Sequence, residues 1–145
     1  MKITFPSLLA AVSVYMMSLA SCSQVPAEKE HVIIAYVTSW TDVMPDPTVM
    51  THINYAFGHV NDTFDGVRID NPERLASIVA LKKVNPELNV MLSVGGWGSG
   101  RFSEMAADDQ RRLSFAKDCL KAVEEFGLDG IDIDWEYPTS DLAGI

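Results

Sequence analysis

Three carboxylates alternate with hydrophobic residues within residues 131–136: Asp132, Asp134 and Glu136. Successive side chains of a β-strand point to opposite faces, so a strand here would place all three acids on one face, roughly 6.6 Å apart from one to the next. The other face would be apolar and would pack under a layer of helices. Acids this close together on a half-buried strand are costly unless something uses them. The pattern therefore predicts an active site.

The elements that must position these acids are four apolar runs of strand length. They cover residues 32–37, 52–57, 89–94 and 128–135. Nearly continuous apolar runs are typical of parallel strands that are buried on both faces. Helical patterns separate the later runs, and polar residues gather where the runs end. Strands that alternate with helices indicate βαβ units, so the fold class is α/β with a parallel sheet.

Local signals mark the turns and the helix ends. Asp65-Gly66 is typical of a hairpin turn. Asn71-Pro72 predicts a helix with Asn as N-cap and Pro at its first position, and Pro47 predicts the start of a shorter helix. Gly127 predicts the end of a second long helix. The apolar stripe of that helix is predicted from its 3.6-residue spacing, with other apolar residues beside it. The predicted stripe comprises Leu113, Ala116, Leu120 and Val123, and the flanking residues are Phe115, Cys119 and Phe126.

The charge of the chain argues against nucleic acid as a partner. It has 20 acidic and 11 basic residues, for a net charge of −9, and contains no basic stripe that would neutralise phosphates. A neutral glycan is compatible with this charge. The three histidines are scattered and the two cysteines are far apart, so the sequence predicts no metal site.

The first residues predict export rather than fold. Residues 1–21 have a basic start at Lys2, an apolar stretch and small residues near their end, as a secretory signal peptide does. Leu19-Ala20-Ser21-Cys22 resembles a bacterial lipobox, which implies that Cys22 carries lipid and anchors the protein to a membrane surface of the cell envelope. Residues 22–31 then form a tether. The alternative is ordinary cleavage after Ala20 or Ser21. The alternative leaves Cys22 as a plain thiol. If Cys22 carries lipid, Cys119 has no partner for a disulfide, and its place in a helical pattern predicts a small buried hydrophobic residue.

Two signatures in the sequence resemble those of glycoside hydrolase family 18, the chitinase family. Residues 129–136 match its DGxDxDxE pattern, which Tyr137-Pro138 extends, and residues 93–96 match its SxGG pattern. The strand at residues 52–57 also resembles its chitinase counterpart. The two signatures occur in the family's order and on consecutive strands, within a resemblance that covers residues 32–138. It implies a (β/α)8 TIM barrel, of which about the first four β/α units are present in residues 32–145.

The resemblance also implies a mechanism and a set of residues. Glu136 would be the general acid and later the base in hydrolysis of β-1,4-linked N-acetylglucosamine polymers, with the substrate's 2-acetamido oxygen as the nucleophile. Asp134 would orient that acetamido group, and Asp132 would share a proton with Asp134. Tyr36 and Ser93 are the expected hydrogen-bond partners of Asp132. No cofactor is implied. The spacing itself assigns Asp129 a structural role, because its parity differs from that of the three acids.

Aromatic residues near these signatures have alternative interpretations. Trp97 follows the double glycine and is predicted to stack on a sugar ring, the alternative being ordinary packing. Phe57 would wall the site of the cleaved sugar or fill the core. Trp135 is expected to pack under a helix, whereas Trp40 in the loop after the first strand has no assigned role.

Two other activities compete with chitin hydrolysis as interpretations of the sequence. An endo-β-N-acetylglucosaminidase acting on N-glycans and a noncatalytic glycan-binding protein are the alternatives; Glu136 argues against the second and Trp135 against the first. The chain is short for the implied fold. A (β/α)8 barrel normally takes about 250 residues, whereas this chain has 145. We therefore expect the chain to form the N-terminal half of the barrel and to be inactive by itself. The sequence leaves open endo or exo action, processivity, the membrane leaflet and the oligomeric state.

Overall fold

A computed structural model describes residues 31–138 of the chain, in which a five-stranded sheet is the main feature. The strands are β1 (Ile34–Thr38), β2 (His52–Val60), β3 (Val67–Ile69), β4 (Asn89–Gly95) and β5 (Gly130–Asp134). Four of them are parallel in the order β1-β2-β4-β5, and the short β3 pairs antiparallel with β2. The predicted α/β class with a parallel sheet is confirmed.

Three α-helices and two 3-10 turns connect the strands. The helices are α1 (Pro72–Val79), α2 (Phe102–Ala106) and α3 (Asp109–Phe126), and the 3-10 turns are Pro47–Val49 and Ala80–Lys83. The core lies between the helices and the sheet, where Ile53, Tyr55 and Leu92 are fully buried on the two central strands. Leu75 and Ile78 of α1 and Phe115 of α3 pack against them. This layer fixes the two central strands and leaves their carboxyl ends as a common edge.

The predicted local signals are present at the element ends. The side chain of Asn71 accepts a hydrogen bond from the backbone N–H of Arg74, and Pro72 opens α1. Gly127 ends α3 with φ +68°, in the left-handed region that glycine tolerates best. Pro47 opens only a 3-10 turn. The hairpin predicted at Asp65-Gly66 connects β2 to β3.

The first predicted strand is wrong in its bounds and in its burial. The structure places β1 at Ile34–Thr38 rather than at residues 32–37, and Val32, Ile33 and Ile34 are exposed. Within residues 31–138, β1 pairs with β2 alone, so one of its edges has no neighbouring strand. A strand at the edge of a sheet has a neighbour on one side alone, so its apolar side chains are less buried than those of a central strand.

The predicted stripe of α3 is also wrong. Leu113 and Leu120 are 49% and 56% exposed, whereas Phe115, Cys119 and Ala122 form the buried face. The 3.6-residue spacing is compatible with either of these faces being buried. Packing against the sheet buries the face with Phe115 and Cys119. On β5, Ile131 and Trp135 pack on the core as expected, but Ile133 between them is 52% exposed.

Within residues 31–138, no helix combines the length and the hydropathy that crossing a membrane requires. The predicted signal peptide at 1–21 and almost all of the tether at 22–31, including Cys22, lie outside the described residues. His31, the last residue of that predicted tether, is exposed.

Candidate active site

The three acids lie at the carboxyl end of β5. Asp132 pairs with Ser93 of β4 in the sheet register, and Asp134 pairs with Gly95. Glu136 follows two residues after the strand, and all three side chains are partly buried. The alternation read in the sequence thus corresponds to a real strand through Asp134.

Asp132 is held by two hydroxyl groups. Tyr36 of β1 and Ser93 of β4 both donate to its Oδ2 atom, at 2.9 Å and 2.8 Å. Ser93 is fully buried, so its hydroxyl has little access to another partner. The structure contains both of the hydrogen bonds that the resemblance implied, and together they fix the orientation of the Asp132 carboxylate.

Tyr36 also touches Asn54 of β2. The hydrogen bond with the Asn54 side chain lowers the pKa of Tyr36, but the hydrogen bond to Asp132, burial and the negative charges of Asp132 and Asp134 outweigh it and raise the pKa above its usual value. The phenol therefore stays protonated and keeps its donor role. Asn54 was missed in the sequence; the signal was a polar residue between Ile53 and Tyr55 in a strand that is otherwise buried.

Asp134 shares its surroundings with Glu136. Burial raises the pKa of Asp134 most, and the charges of Glu136 and Asp132 and a hydrogen bond with the Glu136 side chain raise it further. Two carboxyl groups can share a hydrogen bond only if one of them carries a proton. The surroundings of Asp134 therefore favour its protonated form, beside Glu136 at the end of β5.

The double glycine after β4 allows the chain to approach this pair. A Cβ on Gly95 would lie 2.0 Å from the carbonyl oxygen of Asp134. The backbone N–H of Gly96 donates to that same oxygen at 2.9 Å, and a Cβ on Gly96 would meet the ring of Phe57 at 2.9 Å. The two glycines thus seat Phe57 and fix the backbone of Asp134.

Several aromatic rings lie at the strand ends and loops near the acids. Trp97 is 81% exposed, and its ring lies edge-on to Tyr137 with 6.4 Å between centroids. Phe57 is half-buried and lies 6.4 Å from Trp40, which is itself exposed. Trp40 and Tyr137 had no assigned binding role in the sequence. Their only sequence signal was proximity to a strand end and to a motif.

Trp135 and Asp129 have structural positions. Trp135 stacks on Phe102 of α2 with centroids 5.4 Å apart, under the helix layer as predicted. Asp129 accepts a hydrogen bond from the backbone N–H of Val90 and forms an ion pair with Lys82. These contacts fasten the entry of β5 to β4, away from the three acids.

The site is built from oxygen groups and aromatic rings. Within residues 31–138, no cluster of three or more His, Cys, Asp or Glu side chains could hold a metal ion. The chemistry available from the described side chains is proton transfer by the Asp134–Glu136 pair, with flat apolar surfaces beside it. Such a combination suits an acid-catalysed reaction on a ligand with flat apolar faces, such as a sugar.

Known proteins share both the sequence pattern and the fold. Residues 32–143 match the model of the family described as "Glycosyl hydrolases family 18". A probable chitinase 2 of Drosophila melanogaster is 30% identical over 132 residues, covering 76% of this chain and 27% of that protein.

Two solved structures agree with this match. The chitinase domain of a spore coat protein from Clostridium difficile has a TM-score of 0.72 at 33% identity, with 79% of this chain and 33% of that chain covered. A family 18 N-acetylglucosaminidase from Paenibacillus barengoltzii has a TM-score of 0.70 at 39% identity, with 79% and 34% covered.

The chain spans about a quarter of the length of the curated relatives that it matches. The family model nevertheless matches most of the chain and includes both signatures and the three acids. The chain belongs to glycosyl hydrolase family 18.

Proposed function

We propose that the described residues carry the proton donor of a glycoside hydrolase that cleaves β-1,4-linked N-acetylglucosamine polymers, such as chitin or its oligosaccharides. The observation that carries this proposal is the arrangement at the end of β5, where Tyr36 and Ser93 hold Asp132 and where Glu136 lies close enough to Asp134 to raise its pKa. Family membership and the chitinases among the similar proteins support the substrate class.

The placement of these two acids on one segment supports substrate-assisted hydrolysis. Glycosidases that use an enzyme nucleophile hold their two carboxyl groups about 5–5.5 Å apart, and inverting enzymes hold them about 6.5–9.5 Å apart. Asp134 ends β5 and Glu136 follows it by two residues, so both carboxyl groups approach a bound sugar from the same side rather than from opposite sides of it. The attacking group is therefore proposed to be the 2-acetamido oxygen of the substrate.

Each residue then has a proposed role. Glu136 protonates the glycosidic oxygen and later removes a proton from the attacking water, while Asp134 holds the acetamido N–H and its developing positive charge. Asp132 shares a proton with Asp134, and the hydroxyl groups of Tyr36 and Ser93 keep Asp132 oriented.

The aromatic residues are proposed to bind sugar rings. Trp97 offers its exposed indole face on the leaving-group side, and Phe57, held against Gly96, walls the site of the cleaved sugar. The four parallel strands are proposed as the first four of a (β/α)8 barrel, an architecture supported by the similarity to chitinase structures.

Binding of an intermediate analogue tests the mechanism directly. A chitobiose thiazoline copies the bicyclic intermediate that acetamido attack would form. We expect Asp134→Asn to lower the affinity of the 145-residue chain for it by about 100-fold, because analogues of high-energy species depend on the groups that stabilise charge. Asp129→Asn is the matched control, since it changes an Asp on the same segment whose side chain has Val90 and Lys82 as its polar partners within the described part of the chain. Equal losses in the two variants would refute the role of Asp134.

Turnover tests the acid. On a chromogenic chitobioside, Glu136→Gln is expected to abolish whatever hydrolysis the unmodified chain shows while leaving chitotetraose binding intact. Unchanged hydrolysis by Glu136→Gln would overturn the assignment. A chain that binds an N-glycan core but not chitotetraose would instead favour the endo-β-N-acetylglucosaminidase alternative.

We also propose that the protein is exported and that Cys22 is lipidated, which would hold the domain at a membrane surface of the cell envelope. The support is the sequence Leu19-Ala20-Ser21-Cys22 after an apolar stretch. Labelled palmitate should be incorporated by the chain and by Cys119→Ser when expressed in a bacterium, but not by Cys22→Ser. Labelling that survives Cys22→Ser would disprove the anchor.

A further inference from the structure

A cluster of three polar side chains lies beside the site but has no part in the proposed chemistry. His59, near the end of β2, is hydrogen-bonded through Nε2 to Oδ2 of Asp70 at 3.0 Å and through Nδ1 to Oγ of Ser99 at 2.9 Å. Asp70 follows β3, and Ser99 lies in the loop after β4. One mostly buried imidazole thus joins three separate segments of the chain.

Ser99 closes the turn that carries Trp97. The backbone N–H of Ser99 donates to the carbonyl of Gly96 at 3.0 Å, which makes residues 96–99 a β-turn with Trp97 at its second position. Gly98 at the third position has φ +71°, as a type II turn requires. The turn begins at Gly96, which is fixed to the carbonyl of Asp134, and ends at Ser99, which is fixed to His59.

Trp97 has few contacts of its own. Its side chain is 81% exposed and meets Tyr137 edge-on. Since its ring packs on little else among residues 31–138, the backbone of the turn decides where the indole is placed. A second contact joins the same loop to the β2–β3 hairpin, namely the ion pair between Arg101 and Asp62, but that pair is largely exposed and contributes little.

We propose that His59 is a positioning residue for Trp97: braced by Asp70, it holds Ser99 and so fixes the turn that presents the indole. His59 does not touch the acids and is not a catalytic residue. Its value to sugar binding rests on the proposed function, since a pre-ordered aromatic side chain avoids an ordering cost of about 0.5–1.5 kcal/mol on binding, which corresponds to about two- to tenfold in affinity.

Fluorine NMR of the chain labelled with 5-fluorotryptophan tests the proposal. The three tryptophans give three resonances, which Trp40→Phe and Trp97→Phe assign. We expect His59→Ala and Ser99→Ala each to shift or broaden the Trp97 resonance while Trp135, stacked on Phe102, stays unchanged and reports an intact core. Ser99→Thr keeps the hydroxyl and should retain the original resonance.

His52→Ala is the matched control, because His52 lies at the other end of β2 and, among residues 31–138, its ring is hydrogen-bonded to the adjacent Thr51 alone. A Trp97 resonance that is unchanged in His59→Ala, or changed by His59→Ala but not by Ser99→Ala, would overturn the proposal.

Titration with chitotetraose separates this inference from the proposed function. We expect the Trp97 resonance to respond to the sugar and the affinity to fall about two- to tenfold in His59→Ala. An indole that ignores the sugar but still moves in His59→Ala would count against the sugar-binding role of Trp97 and would support the positioning role of His59.

Discussion

Tyr36 donates a hydrogen bond to Asp132 although the two residues lie on opposite edges of the four parallel strands. Strands in a sheet lie about 4.8 Å apart, so three steps across a flat sheet would separate β1 from β5 by about 14 Å. Side chains standing upright on a flat sheet would not meet across that distance. The 2.9 Å contact shows that the strands curl so that their inner faces turn toward each other, which brings groups from both edges to one carboxylate.

The two donors to Asp132 should differ in their contribution to stability. Ser93 is fully buried and Tyr36 is 57% exposed. We expect Ser93→Ala to lower the free energy of unfolding by about 1.5–3 kcal/mol, as loss of a buried hydrogen bond to a charged group does. Tyr36→Phe should cost less than about 1 kcal/mol because water can replace the phenol. Urea unfolding of the two variants measures both values, and a larger loss in Tyr36→Phe would contradict this ranking.

Because its pKa is raised, Asp134 should destabilise the folded state to an extent that depends on pH. The unfolded carboxyl group titrates near pH 3.9, and burial and the charges of Glu136 and Asp132 raise the folded pKa. The folded state disfavours the ionised form of Asp134. The resulting loss of stability is absent below the pKa of the unfolded chain, grows as the pH rises through that value and is complete above the pKa of the folded chain. Asp134→Asn should therefore raise the Tm by about 1–3 °C at pH 7 and leave it unchanged near pH 3.

Asp108 supplies a control of opposite sign. This N-cap of α3 accepts hydrogen bonds from the backbone N–H groups of Arg111 and Gln110, which lower its pKa. Its charged form is favoured in the folded state, so Asp108→Asn should reduce stability at pH 7 and have less effect near pH 3. Thermal unfolding across this range that shows the same sign for both variants would refute the assignment.

Cys119 should be unreactive while the domain is folded. It is 6% exposed, and burial followed by the charge of Asp118 raises its pKa to about 11. At pH 8 about one thiol in a thousand would then be ionised, and the thiolate is the reactive species. In a Cys22→Ser background, where Cys119 is the remaining cysteine of the sequence, a disulfide reagent should label it only after denaturant is added. Complete labelling within minutes in native buffer would contradict this burial.

Much of the fold could be predicted because its signals are local. The cap at Asn71, the stop at Gly127 and the hairpin at Asp65-Gly66 depend on backbone preferences of the residues themselves. The buried face of α3 could not be predicted in the same way. Leu120 and Cys119 are neighbours that both fit a helical stripe, and the position of the sheet decides that Cys119 is buried and Leu120 is exposed.

The site was predictable where it depends on strand alternation and on the two signatures. These gave the three acids, Ser93 and the interest in Trp97, whereas Tyr36 came from the wider resemblance to the family. They could not give Asn54 as a partner of Tyr36, or the approach of Tyr137 to Trp97, because these contacts depend on how strands and loops from distant parts of the chain are arranged. Likewise His59 reads as an isolated histidine until the loops after β3 and β4 are placed around it.

Gly95 occupies a position where the fold leaves no room for a side chain. Gly95 has φ +131°, and a Cβ there would lie 2.0 Å from the carbonyl oxygen of Asp134, which belongs to the neighbouring strand. Backbone cannot give way as a flexible side chain can, so β4 and β5 would have to separate at the pair that positions the acids. We expect Gly95→Ala to cost more than about 4 kcal/mol, in the range of severe core defects, or to prevent folding.

Gly98→Ala is its matched control. Gly98 also has a positive φ, of +71°, but a Cβ there would meet nothing within 4 Å. The cost should be the backbone strain alone, about 1–2 kcal/mol. Urea unfolding measures both variants: Gly95→Ala combines a steric conflict with backbone strain, whereas Gly98→Ala has the backbone strain alone. Similar losses in both would show that the close approach of Asp134 to Gly95 does not limit this position and that the double glycine does not fix the backbone of Asp134.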